Sequence, residues 1–189
     1  MFEKLLEYDT QLLLFLNNLG VPTWDPFWLV VTDEFTFVPM YAVLLYLLYK
    51  KFGLKSLLVF VLVITLMITF TDQITNLFKR VVARPRPCGE LDLEEHLRFI
   101  AVRCGKYGFF SGHASNSMAL AVFAGLILKP YYKNLIFILL FWSAMVAYSR
   151  IYVGVHYPLD ILCGFTFGAL SGFMFYKLAK YLLKKYITA

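Results

Sequence analysis

The sequence predicts an all-α, integral-membrane helical bundle. Three observations carry that prediction. Of the 189 residues, 60% are apolar and 16% are charged, against roughly 45–50% and 25% in a soluble domain. Mean hydropathy is +0.68. The apolar residues also gather into runs near the roughly 20-residue length that crosses a bilayer. A soluble chain this small has too much surface for its volume to hide so much apolar area. Disorder, a secreted disulfide scaffold and an ordinary soluble enzyme are therefore excluded. Residues 1–189 read as one membrane-embedded domain.

Five runs are candidate spans: Glu34–Tyr49, Leu54–Phe78, Ala114–Leu128, Leu135–Ile151 and Leu159–Leu183. The first and third are short, and residues near Trp24–Val31 extend the first, with a break at Pro26. The stretch Phe2–Leu19 differs. Leu5, Leu6, Leu12, Leu13 and Leu16 recur at helical spacing, while Glu3, Glu7 and Asp9 are polar. That pattern fits a helix lying in the interface. Its acidic start and the lack of a small-residue cleavage site exclude a signal peptide. The expectation is five or six transmembrane helices, six if this stretch also crosses. In the last run, Gly164, Gly168 and Gly172 repeat every fourth residue, a spacing that lets helices approach closely.

Charge is divided between the two ends of the bundle. Lys50, Lys51, Lys55, Lys129, Lys133, Lys177, Lys180, Lys184 and Lys185 fall on one side, with no acid among them. The other side carries segments 79–110 and 150–158 and nearly all the acids. The positive-inside rule puts the lysines in the cytoplasm. The net charge of +6 therefore reflects membrane orientation, and no nucleic-acid partner is expected. On the outer side, Cys88 and Cys104 bracket a loop whose residues 90–97 alternate acids and leucines, a pattern for a short surface helix. In an oxidising compartment the two thiols form either a disulfide, worth about 3 kcal/mol for a loop this size, or a free pair. His96 lies near them, but the spacing fits no usual zinc site. Cys163 reads as a small core residue of the fifth run.

Charged groups beside membrane helices mark function, and here three clusters share the outer side. The first is Lys79-Arg80-Val81-Val82-Ala83-Arg84-Pro85-Arg86-Pro87. It follows a helix on which Thr65, Thr69, Asp72, Asn76 and Lys79 make a polar stripe. Lys79 as a point charge and Arg86 as a fork suit a phosphate. The second is Ser111-Gly112-His113 at the start of the third run. A helix N-terminus binds anions, Ser111 can cap it, Gly112 admits close approach, and His113 can carry a proton. The third runs from Ser149-Arg150 to His156-Tyr157-Pro158-Leu159-Asp160. His156 and Asp160 are four apart on one helical face, so the acid can fix the ring and leave one nitrogen free to attack. Together these residues suit phosphoryl transfer. No P-loop and no carboxylate cluster for Mg²⁺ accompanies them.

The pattern Lys79-x6-Arg86-Pro87, then Ser111-Gly112-His113, then Ser149-Arg150-x5-His156-x3-Asp160, resembles the three-part signature of the type 2 phosphatidic acid phosphatase family. That family joins membrane lipid phosphatases to soluble vanadium haloperoxidases. The match covers about residues 79–160, with Phe110 standing where the family often has proline. The resemblance implies a metal-independent lipid phosphatase without a cofactor. His156 would be the nucleophile, Asp160 its orienting acid and His113 the proton donor. Lys79, Arg86, Ser111, Gly112 and Arg150 would hold the phosphate. The implied partners are the bilayer and a membrane lipid phosphate. Undecaprenyl diphosphate is the first expectation, followed by phosphatidylglycerophosphate, phosphatidic acid and a lipid A phosphate. Phosphotransfer to an acceptor other than water is the alternative. The implied location is a bacterial inner (cytoplasmic) membrane, with the site facing the periplasm or exterior. The oligomeric state stays open.

Overall fold

The computed structural model describes residues 2–187. Six helices account for most of them: α1 (Phe2–Asn18), α2 (Asp25–Thr32), α3 (Val38–Val82), α4 (Gly112–Leu128), α5 (Leu135–Tyr152) and α6 (Pro158–Tyr186). There is no strand among the described residues, only an isolated bridge between Pro85 and Tyr107. Three stretches, Glu34–Val82, Leu135–Tyr152 and Pro158–Tyr186, are long and apolar enough to cross a membrane. The first is bent. Gly53 adopts φ 75° and ψ 175° inside α3, a conformation costly for any residue with a Cβ. The helix therefore consists of two arms, 38–52 and 54–82, matching the two apolar runs seen in the sequence.

α4 is the centre of the bundle. Its sequence is rich in Ala, Ser and Gly, so neighbouring helices approach its backbone closely. Ala114, Ala119, Ala121, Phe123, Ala124, Ile127 and Leu128 are all buried. The glycine repeat of α6 lies against it within the same chain. A Cβ at Gly164 would sit 2.8 Å from the Ser111 oxygen, one at Gly168 2.3 Å from the Ser115 oxygen, and one at Gly172 2.5 Å from the Ala119 oxygen. The two helices thus run side by side in one direction and one register. Leu48, Phe60, Met67, Phe123 and Leu139 fill the apolar core between α3, α4 and α5. Leu58, Leu62, Phe137, Phe141, Leu162 and Leu170 point outward, as a lipid-facing surface requires.

Several local expectations are corrected. Pro26 does not break the chain; it sits in the first turn of α2, where its missing N–H costs nothing. The break comes at Asp33, whose backbone is extended. α2 then packs on α5 through Trp28, which stacks on Tyr152 at 5.2 Å and meets Tyr148 edge-on at 5.0 Å. On α3, Thr65 and Thr69 are exposed, and the buried hydroxyls are Ser56, Thr71 and Thr75. The inward face runs through Phe60, Val63, Met67, Thr71 and Thr75 at three- and four-residue steps, so the stripe expected through Thr65 lies off it. Residues 90–97 form one short 3₁₀ turn at Leu91–Leu93 rather than a helix. Glu90 and Glu94 would face each other one helical turn apart, and like charges there oppose helix formation. Cys163 is only half-buried, because it lies toward the outer flank of α6. On α1, Asp9 is buried along with Leu13 and Asn17, so the polar residue faces the protein. Tyr8, Phe15 and Leu19, with Leu5 and Leu12, form the exposed apolar stripe.

Candidate active site

The three sequence clusters meet where α3 ends, α4 and α6 begin and α5 ends. Ala83, with φ 50°, closes α3 in a left-handed cap and donates to the Lys79 carbonyl at 3.1 Å. The chain then runs extended through Pro85, which bridges to Tyr107. Arg84 and Arg86, two residues apart on this segment, take different partners. Arg86 Nε donates to the Tyr107 carbonyl at 3.1 Å. Arg84 turns back and bonds Asp160 Oδ1 at 3.0 Å and Asp9 Oδ2 at 2.6 Å. Cys88 and Cys104 are joined, with Cα atoms 5.9 Å apart. The bond ties the segment after Arg86 to the segment before Tyr107.

Ser111 caps α4: its Oγ accepts from the Ala114 N–H at 3.4 Å, and its own N–H donates to the Asp160 carbonyl at 3.0 Å. The free N–H groups at this helix start make an anion seat. Gly112 has no side chain to block it; a Cβ there would come 3.7 Å from Lys79 Nζ, so that ammonium overhangs the seat. Arg150 is held by one N–H to Thr32 Oγ1 at 2.5 Å, and its buried Nε has no partner among the described residues. His113 lies within electrostatic reach of Arg150, His156, Lys79 and Arg86.

His156 is almost wholly buried. Its Nδ1 lies 3.2 Å from Asp160 Oδ2, and the same oxygen accepts from the Tyr157 N–H at 3.1 Å. Burial, reinforced by Arg86, Arg150 and Lys79, holds the imidazole pKa well below its usual range. The ring is therefore neutral near pH 7. With Nδ1–H donating to the carboxylate, Nε2 keeps its lone pair. Gly108 packs tightly against the pair: a Cβ there would stand 3.0 Å from Asp160 Oδ2, 3.3 Å from Arg86 Cγ and 3.5 Å from His156 Nδ1. A neutral, oriented nitrogen beside a cluster of fixed cations and a helix N-terminus can attack phosphorus and hold the charged oxygens.

A family model described as the PAP2 superfamily matches residues 56–184. The chain belongs to the PAP2 superfamily. It is 40% identical over 182 residues to a lipid A 4'-phosphatase of Bacteroides thetaiotaomicron, covering 95% of this chain and 80% of that one. It is 34% identical to a lipid A 4'-phosphatase of Porphyromonas gingivalis, covering 99% and 79%. An undecaprenyl-diphosphatase of Sulfolobus acidocaldarius is 26% identical, covering 91% and 79%. Among solved structures, a PAP2-type phosphatidylglycerolphosphate phosphatase of Bacillus subtilis superposes with a TM-score of 0.76 at 17% identity, over 95% of this chain and 88% of that one. Aquifex aeolicus LpxE gives 0.67 at 22%, over 89% and 94%. These two share the fold. The protein is a bacterial membrane lipid phosphatase of the PAP2 type.

Lys79, Arg86, Ser111, Gly112, His113, Arg150, His156 and Asp160, each marked in the sequence, all lie at this one end of the bundle. Sequence reasoning missed Asp9, Thr32 and Arg84. Asp9, Leu13 and Asn17 recur every fourth residue, which was the available signal for a buried face on α1. Asn17 donates to the carbonyls of Arg98, Ile151 and Tyr152 at 3.0, 3.0 and 2.9 Å. No group of three or more His, Cys, Asp or Glu side chains is arranged to hold a metal among the described residues.

Proposed function

We propose that this PAP2 phosphatase removes a phosphate from lipid A, at the 4' position, through a phosphohistidine on His156. The substrate rests on one observation: relatives at 40% and 34% identity, matched over nearly the whole chain, are both lipid A 4'-phosphatases. Undecaprenyl diphosphate, the first expectation from sequence, becomes the second reading, because the relative acting on it is only 26% identical. The tail-contacting surface is generic Leu, Ile and Phe, so nothing in the composition had separated the two.

The chemistry follows from the site. The phosphate monoester sits among Lys79, Arg86, Arg150, Ser111 and the Gly112 N–H. These groups face its equatorial oxygens, where transition-state charge gathers. His156 Nε2 attacks phosphorus in line as the bond to the lipid oxygen breaks. Asp160 balances the charge that develops on the ring. His113 gives its proton to the departing oxygen; the negative charge of the bound phosphate favours that proton on the imidazole. Water then attacks the phosphohistidine, His113 takes back a proton, the N–P bond breaks and orthophosphate leaves. The chain's own cations neutralise the phosphate, so the reaction needs no metal.

The test is product analysis. Purified protein is incubated with bisphosphorylated lipid A and, separately, undecaprenyl diphosphate. Fragmentation mass spectrometry should show loss of the 4' phosphate with the 1-phosphate retained. Hydrolysis of undecaprenyl diphosphate alone would favour the second reading. Transfer of the phosphate to an added alcohol instead of water would mark a phosphotransferase.

A further inference from the structure

The nucleophile's carboxylate is held from behind by a helix that carries no part of the phosphate site. Asp160 Oδ2 faces His156, while Oδ1 accepts from Arg84 at 3.0 Å. Arg84 in turn donates to Asp9 Oδ2 at 2.6 Å, and Asp9 Oδ1 accepts from the Leu159 N–H at 2.8 Å. Asp9 thus holds both the guanidinium and the first turn of α6, one residue from Asp160. The arrangement is dry: the side chains of Asp9 and Asp160 are 1% and 0% exposed, and that of Arg84 is 16% exposed. The guanidinium also lies over the Tyr157 ring, 3.8 Å from its centroid, which leaves it little room to turn. Two carboxylates sharing one guanidinium in a low-dielectric place are far more sensitive to losing a member than a surface pair is.

We propose that Asp9 and Arg84 are positioning residues for catalysis: Asp9 fixes Arg84 and the start of α6, and Arg84 fixes the Asp160 carboxylate that orients His156. This makes α1 part of the catalytic apparatus, and it rests on the reading of His156 as nucleophile. Neither residue belongs to the phosphate seat, because both terminal nitrogens of Arg84 are taken by Asp160 and Asp9, and the second oxygen of Asp9 is taken by the Leu159 N–H. Their loss should therefore change turnover and leave substrate binding alone.

The test uses the full chain in detergent, with phosphate release measured from bisphosphorylated lipid A and from dioleoyl phosphatidic acid. Asp9→Asn should lower kcat about tenfold or more while KM stays within about twofold. Asp9→Glu, which keeps the charge, should recover most of the rate. Added to Asp160→Asn, Asp9→Asn should cost less than about threefold, because the two act through one carboxylate. A folded Asp9→Asn enzyme with unchanged kcat would overturn the proposal. So would a full loss that persists in the Asp160→Asn background. If Asp9→Asn does not fold, Arg84→Gln is read by the same kcat-against-KM split and the same pairing with Asp160→Asn. His156→Ala separates the two levels. An active His156→Ala enzyme overturns the nucleophile reading, whereas a silent one beside a normal Asp9→Asn enzyme overturns only this inference.

Discussion

His156 is neutral at physiological pH because it is buried among cations, and two measurable consequences follow. With His156 as the proposed nucleophile, catalysis needs the unprotonated ring, so the acid limb of kcat/KM due to this residue should lie below the ordinary histidine value of about 6.5. Stability shows the same sign. Unfolding exposes an imidazole that takes up a proton near pH 6.5, while the folded ring, with its depressed pKa, stays unprotonated. The unfolded state therefore binds more protons below pH 6.5, and this residue's contribution to stability is lost as pH falls through that value toward the folded pKa. The thermal midpoint in detergent should drop between pH 7 and pH 5, and the drop should shrink in His156→Ala. Loss of His113, the proposed proton carrier, should cost about 10²–10⁴-fold in kcat; a loss below tenfold would leave it without that role. Arg86→Lys keeps the charge but removes the fork that holds the Tyr107 carbonyl and, in the proposed mechanism, a phosphate oxygen. It should raise KM and lower kcat together.

At the scale of elements, the register between α4 and α6 places Ser111 and His113 against His156. Gly168 lies where a Cβ would meet the Ser115 carbonyl at 2.3 Å. Gly168→Val should separate the helices, destabilise the fold by about 1–3 kcal/mol and lower activity in parallel. Normal activity with an unchanged thermal midpoint would show that the register is not critical. The Cys88–Cys104 bond closes a loop of sequence separation 16, and Cys88→Ser with Cys104→Ser should cost about 3 kcal/mol. Reductant should lower the midpoint of the wild type by a similar amount and leave the double variant unmoved. The apolar helices were legible in the sequence because lipid exposure writes itself as continuous hydrophobic runs. α1 was only half legible. Its outer face is as apolar as a membrane anchor, and buried Asp9 and Asn17 look like solvent residues until Arg84 and the carbonyls at 151 and 152 are brought to them. Only the Thr65 and Thr69 part of the polar stripe on α3 was misplaced, for a related reason; Asp72 and Asn76 are half-buried and bonded to each other, and Lys79 reaches the site. Threonine is tolerated on both faces of a membrane helix, so composition could not distinguish Thr65 from Thr71.

At the scale of the molecule, one end of the bundle carries the candidate site and the other carries the lysines. The positive-inside rule and the disulfide beside the site both favour an orientation with the site outside the cytoplasm. A membrane-impermeant thiol reagent, applied to intact cells after mild reduction, should reach Cys88 and Cys104; labelling only after lysis would reverse the orientation. The candidate residues stood out because they are charged groups at fixed spacing in a chain that otherwise avoids charge, and the fold brings them to one end of the bundle. The lipid was not legible, since the outward-facing side chains are generic apolar ones and the cations of the candidate site would accept any phosphate. The central claim is that a neutral, Asp-oriented His156 attacks the lipid phosphate without a metal. Phosphate release from bisphosphorylated lipid A, measured in EDTA for the purified protein beside His156→Ala, tests it most directly. The account predicts full turnover in EDTA and a loss of at least about 10³-fold in the variant. Comparable release by His156→Ala, or wild-type activity that EDTA abolishes and Mg²⁺ restores, would contradict it.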